Sequence, residues 1–195
     1  MGGNAKSGIT MYNLNSKLPN VIFVSPQGLG STSGFPNTNG SDEAMTRAIM
    51  KEIEAKYCID MSRYFATGFS YGGSMSFTAA CNMSDVFRAI GAMSGSTVSG
   101  ATCARQKPKR NVAVWATHGD ADTVLPISGA QPMIEALAKY NGCTTTTKPV
   151  DPSPCVEYQG CMEGYPVIWC VRPGDGHAIP SFAAAAIAKF FQQYF

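Results

Sequence analysis

The run Gly68-Phe69-Ser70-Tyr71-Gly72-Gly73 constrains this chain more than any other feature. It joins Tyr64-Phe65-Ala66-Thr67-Gly68-Phe69, which reads as a strand, to Met75–Cys81, a small-residue segment that reads as a helix. A G-x-S-x-G pattern is common by chance. At a strand-to-helix junction it means a sharp, strained turn that lifts a serine hydroxyl above the end of a sheet. Small neighbours are needed there, and Gly68, Gly72 and Gly73 supply them. The turn also aims the backbone N–H of Tyr71 outward, where it can serve as an oxyanion donor. The competing reading is a glycine-rich turn with a spectator serine.

Strands and helices alternate around this turn. The apolar run Val21–Val24, bounded by Pro19 and Pro26, predicts a strand buried on both faces. A loop rich in Gly, Ser, Asn and Pro follows from Gln27 to Gly40. Ser41 or Asp42 then offers an N-cap, with Glu43 in the first turn of a helix over 44–57. Two further strands are expected over 87–93 and 112–117. A helix over 132–140 is closed by Asn141-Gly142. A last strand over 165–171 precedes a helix over 181–194, with Pro180 at its start. This order predicts a mostly parallel sheet with helices on both faces, in one domain spanning residues 1–195. Because the first element begins at Val21, the sheet reads as lacking opening strands.

Two more motifs follow predicted strands. His118-Gly119-Asp120-Ala121-Asp122 lies past the strand over 112–117, on the edge where such sheets bind ligands. Asp122, beyond the turn, suits the acid that orients a histidine; Asp120 is the alternative. His118 reads as a strand-end residue that shapes the turn. Gly174-Asp175-Gly176-His177 follows the last strand, and His177 is the candidate general base. The chain order Ser70, Asp122, His177 is that of an α/β-hydrolase triad. Three motifs at strand ends, in the right order, carry far more weight than any one of them.

Composition removes other classes. A formal charge of +2 over 195 residues gives no electrostatic case for nucleic acid or an anionic membrane as partner. The basic cluster Arg105, Lys107, Lys109, Arg110 lies among prolines and polar residues and reads as a solvated loop. No apolar stretch approaches the roughly 20 residues of a membrane helix, and the N-terminus lacks the apolar core of a signal peptide. Seven cysteines without a Cys-x-x-Cys pair argue against zinc and for disulfides in an oxidising location. Cys81 and Cys103 bracket a strand-like segment and can pair, which leaves Cys58 without a partner.

The runs S-P-Q-G-L, N-T-N-G-S-D, F-A-T-G-F-S-Y-G-G-S-M-S, H-G-D-A-D-T-V-L-P, Y-Q-G-C-M-E-G-Y-P-V-I-W-C and G-H-A-I-P resemble the secreted feruloyl esterases and acetyl xylan esterases of carbohydrate esterase family 1. Polyhydroxybutyrate depolymerase-like esterases are near relatives. The resemblance extends from about Gly2 to Phe195. It implies an α/β-hydrolase fold, no metal or organic cofactor, a plant cell-wall polysaccharide as substrate, and Ser70, Asp122 and His177 as the triad. Phe35 and Tyr71 are candidate aromatic walls for a feruloyl ring, with core packing the plainer reading of Phe35. Acetyl xylan esterase and short-chain polyester esterase stay open within the class. Outside it stand a peptidase or thioesterase on the same triad and a non-catalytic binder.

The departure is at the front. Met1-Gly2-Gly3-Asn4 resembles the tail of a loop that supplies the second oxyanion donor in the family, which places that donor near Met1. An absent strand between 21–24 and 64–69 would leave two open edges inside the sheet. That suggests a truncated chain, and pairing with a second copy, a homo-oligomer, is one way to cover the edges. Cys155 and Cys170 lie symmetrically about a turn near Met162-Glu163, which would leave Cys143 with Cys161; four cysteines allow three connectivities.

Overall fold

The computed structural model describes residues 4–6, 8, 13–28 and 34–195. In chain order its principal elements are α1 (Ser41–Lys56), β1 (Tyr64–Phe69), α2 (Tyr71–Asn82), β2 (Phe87–Met93), β3 (Ala113–Gly119), α3 (Gln131–Tyr140), β4 (Thr147–Pro149), β5 (Cys155–Tyr158), β6 (Val167–Arg172) and α4 (Ala183–Gln192). The strands form one sheet in the order β1-β2-β3-β6-β5-β4. β1, β2, β3 and β6 run parallel, and β5 and β4 extend the sheet antiparallel.

Period-two alternation divides the apolar residues between the faces. Ile90, Ala92, Val114, Ala116 and Trp169 meet Phe77 of α2 and Met133, Ile134 and Leu137 of α3. Ala89, Met93, Ala113, Trp115 and Cys170 meet Ile187, Phe190 and Phe191 of α4, together with Leu14 and Leu18. Every residue of β3 is buried, as a central strand covered on both faces requires.

The expected strand over 21–24 does not form: the segment joins no sheet among the described residues, and Ile22 and Val24 are each 48% exposed. An apolar run becomes a strand only where its N–H and C=O groups find a ladder, and this one pairs with none among the described residues. β1 is therefore the outer strand among the described residues, rather than one side of a gap inside the sheet. An apolar groove of about 670 Å³ runs beside it, lined by residues that include Val21, Phe23, Ile53, Phe65 and Phe191.

Two local readings also change. α1 is not capped by Ser41 or Asp42; Gly40 holds the N-cap position with a positive φ and no side-chain cap bond. Asn37 serves from further back, its Oδ1 accepting the N–H groups of Asp42 (3.0 Å) and Glu43 (3.2 Å). The Asp42 carboxylate accepts Asn37 N–H in return, at 2.6 Å. The small-residue helix begins at Tyr71 rather than Met75, because the turn at Ser70 leads straight into helical backbone.

Three disulfides are formed, Cys81–Cys103, Cys143–Cys161 and Cys155–Cys170. Cys155 and Cys170 are register partners in the β5–β6 pair, the hairpin arrangement their spacing suggested. Cys58 is free and exposed, and it lines the groove beside β1.

Candidate active site

Ser70 stands at φ 59°, ψ −119°, between β1 and α2. Positive φ at a side-chain-bearing residue costs about 1–3 kcal/mol and persists only where the surroundings impose it. Here Ser70 N–H donates to the Met93 carbonyl at 3.0 Å. The Ser70 carbonyl accepts Ser74 N–H at 2.9 Å and the Ser74 hydroxyl at 3.1 Å. A Cβ on Gly68 would run into the backbone of Gly72, and one on Gly73 into that of Met93. Gly68 and Gly73 are required by this close approach, as the motif predicted; a Cβ on Gly72 would meet nothing within 4 Å, so the turn places no steric demand for glycine there.

The Ser70 hydroxyl lies 2.9 Å from His177 Nε2, and His177 Nδ1 lies 2.7 Å from Asp122 Oδ2. With the proton on Nδ1, the ring donates to Asp122 and accepts from Ser70. Three residues from the ends of β1, β3 and β6 thus form one hydrogen-bonded chain. Asp122 is fully enclosed, and its Oδ1 also accepts the N–H groups of Val124 and Leu125, each at 2.9 Å. Burial alone would raise the Asp122 pKa. The His177 hydrogen bond and the two backbone donors outweigh it and hold the carboxyl below its ordinary value.

The loop that carries His177 is braced by groups that sequence reasoning passed over. Arg172 donates to Asp175 Oδ2 at 2.8 Å and to the Ala178 carbonyl at 2.9 Å. Asp120, the alternative acid, instead accepts Gly174 N–H at 2.7 Å and stays out of the chain. A Cβ on Gly119 would meet the backbone of Asp175 and Gly176. The Phe69 ring lies 4.6 Å from the His177 ring. No local spacing marked this brace, because i, i+3 neighbours face each other only on a helix and 172–175 runs from a strand end into a turn.

His118 is buried beneath the acid loop. Its Nε2–H donates to the Leu125 carbonyl at 2.7 Å, and Asp122 Oδ2 lies 3.2 Å from the same nitrogen. Tyr71 opens α2, and its ring packs against Gly34. Phe35 lies elsewhere, in the apolar groove beside β1 with Ile49 and Met50; Ser70, Asp122 and His177 do not line that groove. The Ser99 hydroxyl donates to the Phe35 carbonyl, and Asn37 Nδ2 donates to the Ser99 carbonyl at 3.1 Å, so the 35–37 segment is tied to the loop after β2. Met1, the expected second oxyanion donor, lies outside the described residues. Among the described residues no cluster of three or more His, Cys, Asp or Glu could hold a metal ion.

A mostly parallel sheet with a strained serine turn after β1, an aspartate after β3 and a histidine after β6 defines the α/β-hydrolase class. Residues 33–162 match the phospholipase/carboxylesterase family, and the chain belongs to it. It is 38% identical over 160 residues to feruloyl esterase D of Neurospora crassa, covering 80% of this chain and 53% of the relative. It is 35% identical over 191 residues to a probable feruloyl esterase C of Aspergillus niger, covering 92% of this chain and 68% of the relative. Thus the chain spans between about half and two-thirds of the length of these curated relatives. Its fold is similar to that of esterase PE8 (TM-score 0.71, 18% identity, all of this chain and 88% of that one). It is also similar to that of an acetyl xylan esterase from Aspergillus awamori (TM-score 0.62, 17% identity, 88% of this chain and 74% of that one).

Proposed function

We propose that this chain is a serine carboxylic-ester hydrolase that releases ferulic or related hydroxycinnamic acids from plant cell-wall polysaccharide, with residues 1–195 acting as one catalytic domain. The observation that carries the reading is the hydrogen-bonded chain Ser70–His177–Asp122, in a protein 35–38% identical to relatives named feruloyl esterases.

His177 takes the Ser70 proton as Oγ attacks the ester carbonyl. Asp122 holds the imidazole with its proton on Nδ1 and stabilises the imidazolium that forms. The leaving alcohol takes the proton back from His177, and an acyl-enzyme remains. Water then attacks the acyl carbon with His177 again as base, releasing the acid and restoring Ser70. The Tyr71 N–H, at the start of α2, faces the developing oxyanion; one such donor is worth ~100- to 1000-fold in rate. No step calls for a metal or an organic cofactor.

The three disulfides support an oxidising, extracellular setting. Among the described residues no helix is long and apolar enough to cross a membrane.

The test is hydrolysis of methyl ferulate beside p-nitrophenyl acetate, with Ser70→Ala as control. Turnover of both substrates, abolished by the substitution, is expected. Turnover of the acetate alone would replace the feruloyl assignment with an acetyl esterase. No turnover of either by folded protein would overturn the hydrolase reading.

A further inference from the structure

We propose that His118 is a positioning residue for Asp122: from beneath the acid loop it clamps the Leu125 carbonyl and so fixes the carboxylate that His177 uses. The kinetic part of the proposal rests on the esterase reading above; the structural part does not.

The geometry closes a ring. His118 Nε2–H donates to the Leu125 carbonyl at 2.7 Å, and Leu125 N–H donates back to Asp122 Oδ1 at 2.9 Å. Val124 N–H reaches the same oxygen at 2.9 Å, which leaves Oδ2 for His177 at 2.7 Å. One buried side chain thus sets the 122–125 turn, and the turn orients the acid. His118 does not touch Ser70 or His177 by any hydrogen bond the structure shows. Its influence passes through Leu125 and Asp122.

The tautomer is dictated by the partners. A carbonyl can only accept, so the proton sits on Nε2. Nδ1 is buried with no hydrogen-bond partner among the described residues. A proton there would add an unsatisfied donor and a buried charge, both costly. Around the ring stand the Asp122 carboxylate from the acid loop, His177 beyond it, Arg172 from β6 and the Trp169 ring at 6.3 Å. Burial outweighs the attraction of Asp122 and pushes the His118 pKa down. His118 therefore gives the loop a donor without a positive charge. A charged donor, with Nε2 only 3.2 Å from Asp122 Oδ2, would draw the carboxylate's charge away from His177.

The chain has two histidines, which makes ring ¹⁵N NMR directly readable. In the wild-type protein, His118 is expected to carry its proton on Nε2 and to stay neutral through and below the ordinary histidine range of about 6.5. A proton on Nδ1, or an imidazolium at neutral pH, would overturn the proposal.

His118→Asn and His118→Gln then separate positioning from packing. The Gln amide places a donor near the Nε2 position, whereas the shorter Asn amide cannot. H118N is expected to lose about 10- to 100-fold in kcat, by analogy with partners that orient metal-ligating histidines and carboxylates. KM should be unchanged, and the low-field proton between His177 and Asp122 should weaken. H118Q is expected to recover most of kcat and the low-field signal. Equal losses in the two variants, or a loss confined to KM, would sink the idea. If H118N fails to fold, the wild-type ring NMR still decides. If the wild type hydrolyses no ester, the functional reading fails while the tautomer and the low-field proton continue to test this one.

Discussion

The two ends of the sheet are built differently. At one end β6, β5 and β4 form antiparallel pairs, Cys155–Cys170 staples β5 to β6, and Cys143–Cys161 ties the approach to β4 to the loop before β6. At the other end β1 is the outer strand, with an apolar groove beside it and the free Cys58 on the groove wall. α1, which adjoins that groove, has no buried residue along its length. The candidate site draws on both ends. Asp122 and His177 come from the loops after β3 and β6, toward the braced side, and Ser70 from the end of β1. Asp122 and His177 are therefore held by loop-to-loop bonds, Gly174 N–H to Asp120, Ala121 N–H to the Asp175 carbonyl and Arg172 to Asp175 and Ala178. Ser70 is held by its own strained turn and by β2, through Met93.

Substitutions can break or sharpen that contrast. The largest effect is expected at the nucleophile: Ser70→Ala should lower kcat on the order of a million-fold, as for serine triads generally, with little loss of stability. Steady-state hydrolysis and a thermal melt read both quantities. Asp122→Asn should cost about 10⁴-fold in kcat, because the amide favours the wrong His177 tautomer while the loop bonds survive. A small effect there would mean that Asp120 replaces it.

Removing the staple of the braced end, as Cys155→Ser with Cys170→Ser, should cost about 2–5 kcal/mol in denaturant unfolding. That loss should exceed anything obtained from a single cysteine at the open end. Next comes pH. Burial lowers the folded-state pKa of His118, so the unfolded chain takes up that proton first. The stability this neutral ring contributes is complete above about pH 6.5 and falls as pH drops below that value. Asp122, held below its ordinary value, adds a second loss only at lower pH, below about 3.9, as pH falls through its folded pKa. Melts across this range should show both stages, and His118→Gln should flatten the first. Smallest of all, Cys58→Ser is expected to change stability by less than about 0.5 kcal/mol, since the residue is exposed and unpaired. A larger loss would mean that the open end is braced by this thiol.

The site was more legible than the sheet edge, for a physical reason. The serine turn needs glycine where backbone approaches backbone, at Gly68 and Gly73, and their spacing about Ser70 records that need locally. The strands expected over 87–93 and 112–117 were readable because burial on both faces favours nearly continuous apolar runs, and they form over 87–93 and 113–119. The same rule misread Val21–Val24: its apolarity is that of a buried strand, but no ladder partner meets it among the described residues. Apolarity is a property of a segment, whereas hydrogen-bond pairing belongs to its neighbours. The short strand over 147–149 went unpredicted for a related reason, and that over 155–158 was signalled only by the placement of Cys155 and Cys170, since their pairing depends on a hairpin that ends at β6.

By itself, then, the sequence determined the alternating elements, the strained serine turn and the order of nucleophile, acid and base, because each is written in residues close along the chain. Only the tertiary structure decided which aspartate meets His177, which cysteines pair, where Phe35 lies and what His118 holds. Those outcomes depend on loops 50 or more residues apart meeting over the ends of β1, β3 and β6, as in the 107-residue separation of Ser70 from His177 and the 55-residue separation of Asp122 from it. No local pattern encodes a distance of that kind; the twist and register of the sheet set it.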